Sequence, residues 1–264
     1  MVIPDFGMGT FRLKGPTLTE LVTEAVEMGY KHIDTAQAYE NEADVGRGLA
    51  QTRSDDVFVT TKVWFDSFKH QQVLDSLKQS ADKLQRDCID MALIHWPSPN
   101  NEVPMEETLD ALAEARQQGL IKHFGVSNFT IGLMERAIKH VGADNIMTNQ
   151  IEVHPFMQNR KVTEACKNKG IRVTAYLPVA KGKVVENDTL RAIASQHNVT
   201  AAQVTIAWEL QKGFVSIPST TKTDHLRSNF KAQKIELTDQ DMADIDGLDR
   251  NERIIDPDFA PEWD

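Results

Sequence analysis

The stretch that decides the fold is His32-Ile33-Asp34-Thr35-Ala36-Gln37-Ala38-Tyr39-Glu40-Asn41-Glu42. It consists of a short apolar strand that ends at an acid, a loop that carries a tyrosine, and the beginning of a helix. The same strand–loop–helix order recurs along the chain, and Lys62 and His95 stand at the ends of the next two predicted strands. The stretch is therefore interpreted as one unit of a repeating β/α fold.

Runs of strand length alternate with amphipathic stretches of helical spacing from end to end. The first helix is predicted to begin at a capping box formed by Thr17 and Glu20. A last helix, predicted from a similar box at Thr238, belongs to a C-terminal helix and tail over 232–264 that finishes polar and irregular. The predicted strands are 6–11, 32–34, 57–63, 89–94, 120–126, 146–153, 171–176 and 215–218.

Eight strand–helix alternations fit a parallel sheet that closes into a (β/α)8 barrel of about 250 residues. The predicted fold class is α/β, a single TIM barrel domain over 1–264 with its active site at the C-terminal ends of the strands. A doubly wound open sheet is the alternative, but it would need a phosphate-binding loop. Gly7-Met8-Gly9-Thr10 lacks the third glycine, and the sequence contains no Gly-x4-Gly-Lys-Ser/Thr motif.

The composition disfavours several classes of protein. At 264 residues, 41% of them hydrophobic, the chain can build one large core. The net charge of −10 disfavours nucleic-acid and anionic-membrane partners, and no apolar run approaches the roughly 20 residues that span a bilayer. Cys88 and Cys166 lack the spacing of a disulfide scaffold or a zinc site. We therefore expect a cytoplasmic globular protein.

Four titratable side chains are expected to meet beside strands two, three and four. Asp34 ends strand two and Tyr39 lies on its loop, while Lys62 ends strand three and His95 follows strand four. Neighbouring strands lie about 4.8 Å apart, so the four groups can share one pocket. A buried Lys62 ammonium, kept charged by Asp34, is predicted to lower the pKa of Tyr39 from about 10. With a neutral His95 to orient a carbonyl oxygen, the group is suited to delivering a proton to a carbonyl.

Each of the four residues also has a structural explanation when it is taken alone. An acid such as Asp34 often begins a helix, a strand-end lysine is usually solvated, and a histidine or tyrosine often belongs to the core. Only the joint arrangement of the four residues therefore indicates chemistry. Other polar side chains are predicted at the same ends of later strands, and these are Ser127, Asn128, Asn149, Gln150 and Tyr176.

The chain resembles the aldo-keto reductase family across nearly the whole predicted barrel, from Gly9 to Asn229. The short N-terminus and the ending at 260–264 are most similar to bacterial members that reduce 2,5-diketo-D-gluconate or methylglyoxal. The motifs that carry the resemblance are His32-Ile-Asp-Thr-Ala, Tyr39, Thr61-Lys62-Val-Trp64, Leu93-Ile-His95-Trp96-Pro97, Gly125-Val-Ser-Asn128, Asn149-Gln150-Ile-Glu152 and Ile217-Pro218.

The resemblance implies NADPH-dependent reduction of small aldehydes and ketones to alcohols. It implies Tyr39 as the proton donor, Lys62 and Asp34 as the pair that tunes it, and His95 as the group that orients the substrate. It also implies a monomer that acts on a small-molecule carbonyl substrate without a bound metal. Phe11 stands where many members have tryptophan. The implied substrate-binding residues are Phe11, Tyr39, Trp64, His95 and Trp96.

The resemblance further implies an extended NADPH across the barrel mouth. Ser219 and Thr220 replace a common Lys-Ser pair, and His225 stands where an arginine is usual, so bidentate recognition of the 2′-phosphate is weakened. Lys222 and Arg227 are candidate substitutes, and NADH is a possible second cofactor. The implied cofactor-binding residues are Gly9, Thr10, Asp34, Ser127, Asn128, Gln150, Tyr176, Leu177, Ile217, Pro218, Ser219, Thr220, Lys222, His225 and Asn229.

Two alternative functions remain open at this point. A metal-dependent barrel hydrolase could use Asp34 and His95 as ligands, but the sequence has no His-x-His or His-Glu-x-x-His motif. A cofactor-binding sensor or partner-binding module on the same barrel would have little turnover. Such a module would be expected to lose Tyr39 or Lys62, and both are present.

Overall fold

A computed structural model describes residues 2–52 and 56–264. These residues form one eight-stranded parallel sheet whose strands lie in chain order. Residues 1 and 53–55, which the single-domain prediction includes, lie outside the described residues. The strands are β1 (Met8–Gly9), β2 (His32–Asp34), β3 (Phe58–Val63), β4 (Ile89–Ile94), β5 (Ile121–Ser127), β6 (Ile146–Glu152), β7 (Arg172–Tyr176) and β8 (Val215–Ser216).

A seam between the first and last strands closes the sheet. Phe6 and Ser216 form a parallel bridge across this seam. Gly7 donates its backbone N–H to Ser216 O at 2.9 Å, and Gly9 donates to Pro218 O at 3.1 Å. A closed sheet of eight parallel strands with helices between them is the (β/α)8 architecture, so the predicted fold class is confirmed. The location of the active site stays a prediction.

The helices surround the sheet. They are α1 (Gly15–Met28), α2 (Glu42–Ala50), α3 (His70–Leu84), α4 (Met105–Gln117), α5 (Ile131–Val141), α6 (Arg160–Asn168), α7 (Asp188–His197), α8 (Ala201–Gln211), α9 (Thr223–Lys231) and α10 (Asp239–Asp246). Successive helices such as α1, α2 and α3 contact one another, and α9 returns to contact α1. The buried residues of each helix recur at helical spacing, as Leu74, Leu77 and Leu84 do in α3. Burying each of these side chains contributes about 1.5–3 kcal/mol to folding.

The bounds of three elements differ markedly from the predictions. Strand β1 spans only Met8–Gly9 of the predicted 6–11, because Phe6 forms an isolated bridge and the chain turns at Phe11. Helix α1 begins at Gly15 with Pro16 in its first turn, so the predicted capping box at Thr17 does not mark its start. Proline is favoured in the first turn because it has no N–H to satisfy, and the Gly15 N–H donates to the Asp44 carboxylate at 2.7 Å. Strand β8 ends before Pro218, because proline cannot extend a hydrogen-bonded ladder.

Further predictions concern the last helix, the cysteines and membrane spans. The capping box at Thr238 forms at the start of α10. Cys88 and Cys166 are both free thiols. None of the helices in the described part of the chain has the length and apolar character needed to cross a membrane.

His32, the first residue of β2, is a fully buried base with a structural role. Its Nε2 lies 2.9 Å from the Thr60 hydroxyl oxygen. Its ring packs so tightly on Gly7 that a Cβ added there would lie 2.8 Å from the ring. Burial lowers the pKa of His32 from 6.5 to about 4, although the Asp34 charge opposes the change. The ring is therefore neutral at neutral pH.

We expect His32 to make the fold sensitive to acid. The unfolded chain binds this proton near pH 6.5 and the folded chain only near pH 4, so stability is lost as the pH falls between these values. The full loss corresponds to about 3 kcal/mol. Urea unfolding gives the free energy of unfolding near neutral pH and at about pH 4.5. Between these two pH values, this free energy should fall by about 2–3 kcal/mol less in His32→Asn than in the wild type. An equal fall in both proteins would contradict the prediction.

Candidate active site

The four residues predicted to act together lie at the C-terminal ends of adjacent strands. Asp34 is the last residue of β2, Lys62 is the last but one of β3, and His95 directly follows β4. Tyr39 ends a 3-10 turn over Gln37–Tyr39, between β2 and α2. The parallel registers of β2, β3 and β4 bring these positions to one edge of the sheet. The structure therefore brings all four side chains together.

Lys62 is the centre of this group. Its side chain is 0% exposed, and its Nζ donates to Asp34 Oδ1 at 2.5 Å and to the Thr35 carbonyl at 2.8 Å. The Tyr39 hydroxyl oxygen lies 3.4 Å from the same nitrogen. A buried ammonium is tolerated only when it is paired and hydrogen-bonded, and these three contacts satisfy that condition.

Tyr39 keeps its proton more firmly than the sequence predicted. Burial raises the pKa of Tyr39 above its usual value of 10, and the Lys62 ammonium offsets only part of this rise. The prediction of a lowered pKa is wrong, because it counted the ammonium and omitted the cost of burying a phenolate. Tyr39 is therefore a neutral phenol at neutral pH, and Lys62 is placed to stabilise the negative charge that appears when the proton leaves.

The charges of Lys62 and His95 follow from the same environment. Burial alone would lower the pKa of Lys62, but Asp34 and Tyr39 together raise it by more. The net pKa is therefore above its usual value, and the ammonium stays charged. Burial, reinforced by the Lys62 charge, holds the pKa of His95 well below its usual 6.5. His95 is therefore neutral, as predicted. Its Nδ1 is buried without a hydrogen-bond partner among the described residues.

A cavity of about 500 Å³ opens beside this group of residues. Tyr39, His95 and Asp34 lie in its wall. The predicted substrate-binding aromatics Phe11, Trp64 and Trp96 also line it. The Phe11 and Tyr39 ring centroids are 5.1 Å apart, and those of Trp64 and His95 are also 5.1 Å apart. The cavity therefore has an aromatic wall beside a small group of charged and polar side chains.

A polar cluster formed by Ser127, Asn128, Gln150 and Tyr176 makes another wall of the cavity. Gln150 Nε2 donates to Asp34 Oδ2 at 2.7 Å, which links this cluster to the Lys62 group. Tyr176 donates its hydroxyl to Asn128 Oδ1 at 2.8 Å. Asn128 has a φ of 61°, a left-handed conformation that asparagine tolerates well, and its Nδ2 donates to the His95 carbonyl at 3.0 Å. The two walls are thus joined by hydrogen bonds.

The remaining residues of the predicted cofactor site divide into two groups. The first lines the cavity and consists of Gly9, Thr10, Leu177, Ile217 and Ser219. Gly9 is required there by close packing, since a Cβ would lie 2.7 Å from Ile217 O. The second group lies outside the cavity lining, along the chain after β8, and consists of Pro218, Thr220, Lys222, His225 and Asn229.

The C-terminal tail, residues 247–264, contributes to the cavity in a way that the sequence did not predict. This segment is irregular as predicted, but it is not simply a polar ending. Phe259 lies edge-on to Trp96 with ring centroids 5.4 Å apart, and it also contacts Trp64 at 5.8 Å. The isolated apolar residues of the tail were the signal available in the sequence. The tail residues that line the cavity are Ile254, Ile255, Asp256, Pro257 and Phe259.

The neighbours of Asp34 bear on the metal-site alternative. Both carboxylate oxygens of Asp34 already accept hydrogen bonds, one from Lys62 and the other from Gln150. Within residues 2–52 and 56–264, no group of three or more His, Cys, Asp or Glu side chains is arranged to hold a metal ion. The groups around this carboxylate are therefore hydrogen-bond donors, namely the Lys62 ammonium and the Gln150 amide.

Comparisons with known proteins show the family to which the chain belongs and agree with the barrel fold. A sequence model of the Aldo/keto reductase family matches residues 5–250, and the chain belongs to this family. Methylglyoxal reductase DkgB of Escherichia coli O157:H7 is 48% identical over the whole of both chains. A crystal structure assigned as a 2,5-diketo-D-gluconic acid reductase B has a TM-score of 0.94 at 39% identity, covering 99% of this chain and 94% of that one. A Gox0644 variant solved in complex with NADPH has a TM-score of 0.91 at 35% identity, covering 97% and 93%.

Proposed function

We propose that this protein reduces small aldehydes and ketones to alcohols, with NADPH as the hydride donor and Tyr39 as the proton donor. The observation that carries the proposal is the fully buried Lys62, paired with Asp34 at 2.5 Å and 3.4 Å from the Tyr39 hydroxyl at the edge of an open cavity. Strongly perturbed titratable groups in a cleft are typical of catalytic sites. Membership of the aldo/keto reductase family supports the same reaction class.

The polar wall of the cavity fits a nicotinamide. Ser127, Asn128 and Gln150 present hydroxyl and amide groups beside the Tyr176 ring, which suits a carboxamide on a flat aromatic ring. The solved relative that contains NADPH supports the choice of cofactor. When bound, NADPH supplies the hydride. The other residues proposed to bind NADPH are Gly9, Thr10, Asp34, Leu177, Ile217, Pro218, Ser219, Thr220, Lys222, His225 and Asn229.

The roles of the four central residues follow from their charges and positions. The neutral His95 orients the substrate carbonyl, whose oxygen then lies within reach of Tyr39. Tyr39 gives its proton to that oxygen as negative charge develops, and Lys62 stabilises the phenolate that remains. Asp34 holds Lys62 in place and charged. The aromatic wall keeps bulk water away from the reacting atoms.

The substrate class is proposed from the cavity and from the relatives. Phe11, Trp64 and Trp96 leave room for a small carbonyl compound beside the polar wall. The names of the relatives point to methylglyoxal and 2,5-diketo-D-gluconic acid. A spectrophotometric screen of NADPH and NADH oxidation against methylglyoxal, diketogluconate and aromatic aldehydes tests the proposal. Tight NADPH binding without oxidation across this panel would instead favour a sensor module.

Lys222→Ala should weaken the binding of NADPH more than the binding of NADH. Lys222 is exposed just before α9, beyond the cavity, whereas Arg227 is already 3.7 Å from the Asp224 carboxylate. Losing one exposed contact to a 2′-phosphate should raise KM for NADPH by about tenfold, and KM for NADH should stay unchanged. Steady-state kinetics with both cofactors measure the effect, with Lys231→Ala at the other end of α9 as the matched control. An equal effect on both cofactors would remove Lys222 from the phosphate site.

We also propose that residues 1–264 form a single domain that acts as a monomer in the cytoplasm. The parallel barrel accounts for all the strands of the described residues, which supports one folding unit. The two free thiols suit a reducing compartment. Light scattering of the purified protein tests the oligomeric state, and a dimer mass would overturn that part of the proposal.

A further inference from the structure

Glu152, the last residue of β6, is a fully buried carboxylate with no part in the proposed proton transfer. Its Oε1 accepts the backbone N–H of Ile254 at 2.7 Å, and its Oε2 accepts that of Ile255 at 2.8 Å. These two residues lie about a hundred positions later in the chain, in the C-terminal tail. One side chain at the end of a central strand therefore holds two consecutive backbone groups of an irregular segment.

His154 fixes the orientation of this carboxylate. Its Nε2 lies 3.0 Å from Glu152 Oε1, and both side chains are 0% exposed. The other ring nitrogen, Nδ1, accepts the backbone N–H of Phe156 at 3.3 Å, so the proton belongs on Nε2, which donates to Glu152. The ring thus aims the carboxylate at the tail and supplies a third donor to it.

The contact of the Glu152 carboxylate with the N–H groups of Ile254 and Ile255 is called the clamp. Before the tail reaches the clamp, it is already hydrogen-bonded to the loop after β6. Arg250 and Glu252 donate their backbone N–H groups to Phe156 O at 3.2 and 2.9 Å. Arg253 donates to Asn159 Oδ1 at 3.0 Å, and Asn159 Nδ2 donates to the Glu152 carbonyl at 2.6 Å. The clamp is the next attachment along the chain, and it lies where the tail begins to line the cavity.

We infer that Glu152 is a positioning residue that sets the tail wall of the substrate cavity, and this inference rests on the proposed function. Ile254 and Ile255 are both clamped residues and cavity-lining residues. Phe259 follows five residues after the first of them and contacts the aromatic wall at Trp96. The carboxylate therefore acts on the substrate through the tail, by fixing the part of the cavity wall that Ile254, Ile255 and Phe259 form.

Glu152→Gln tests the clamp with the smallest change in shape. A carboxylate offers an acceptor oxygen to each of the two N–H groups, whereas the amide offers one oxygen and turns an NH2 group toward the other. The tail should loosen while the four central residues keep their contacts. We expect KM for a bulky aromatic aldehyde to rise about tenfold, with kcat within about threefold and the NADPH dissociation constant within about twofold of the wild type.

Limited trypsin digestion gives a readout that does not depend on the reaction. The Arg253–Ile254 bond contains the clamped N–H, so it should be cut at least about tenfold faster in Glu152→Gln, releasing the peptide 254–264 for mass spectrometry. Glu262→Gln, an exposed change in the same tail, should leave both KM and the cutting rate unchanged. If the wild type reduced no carbonyl compound, the proposed function would be wrong. The digestion would still show whether Glu152 holds the tail.

Ile255→Pro removes one clamped N–H from the tail side and leaves β6 untouched. It should raise the cutting rate as Glu152→Gln does, and the double variant should be little worse than either single variant because both act on one contact. An unchanged cutting rate at Arg253 in both variants would overturn the inference. A fall in kcat with unchanged KM in Glu152→Gln would also overturn it.

Discussion

Tyr39→Phe is expected to lower kcat for carbonyl reduction by a factor of about 10²–10⁴, the usual contribution of a positioned general acid. The substitution removes the hydroxyl that lies 3.4 Å from Lys62 Nζ and keeps the ring that packs against Phe11 and His95. Without that hydroxyl, no side chain next to the substrate oxygen is placed to give up a proton while an ammonium stabilises the remaining charge. NADPH binding should change little, because the polar wall is untouched.

The measurement is single-turnover NADPH oxidation with methylglyoxal, alongside NADPH binding by fluorescence. Tyr30→Phe is the matched control, since its buried hydroxyl donates to the Leu226 carbonyl at 2.9 Å and has no part in the cavity. That variant should lose about 1 kcal/mol of stability and keep its kcat. Activity retained in Tyr39→Phe would sink the assignment of the proton donor.

Lys62→Met is expected to cost both activity and stability. The fully buried ammonium donates to Asp34 and to the Thr35 carbonyl, so its loss leaves a buried, unneutralised carboxylate. Breaking such a pair typically destabilises a protein by about 3–5 kcal/mol. Turnover should fall by a factor of at least about 10², because the Tyr39 phenolate would form without a neighbouring positive charge.

Thermal unfolding and kinetics together separate these two effects of Lys62→Met. Adding Asp34→Asn should recover much of the melting temperature, since the buried charge is gone, but it should not recover turnover. Lys122→Met provides a control, because Lys122 pairs with Asp90 at 2.7 Å with its side chain partly exposed and away from the cavity. Full activity in a folded Lys62→Met variant would contradict the proposed role of the ammonium.

The regular part of the site could be predicted from the sequence because strands carry a readable pattern. Asp34, Lys62 and His95 each end an apolar run, and parallel strands bring such ends together whatever the details of packing. The pKa of Tyr39 could not be predicted, because its direction depends on how completely the ring is buried. A sequence shows which charges are neighbours but not how much water surrounds them.

The tail could not be predicted for a different reason. Ile254, Ile255 and Phe259 follow neither a helical nor a strand period, so no pattern assigned them to a face. Their position depends on Glu152, a hydrogen-bond partner about a hundred residues earlier in the chain. Likewise, the start of α1 was misplaced because Asp44, in another helix, supplies the acceptor for the Gly15 N–H. In both cases the deciding partner is distant in sequence.

The seam that closes the barrel also affects how the protein opens locally. β1 and β8 are two residues long each, and few backbone hydrogen bonds join them. We therefore expect the amide hydrogens of Gly7 and Ser216 to exchange with solvent at a lower free energy than those of the longer central strands. Gly9, on one side of the seam, and Ile217, on the other, both face the cavity. A molecule held there bridges the two edges of the sheet, and its binding energy adds directly to the free energy of opening them.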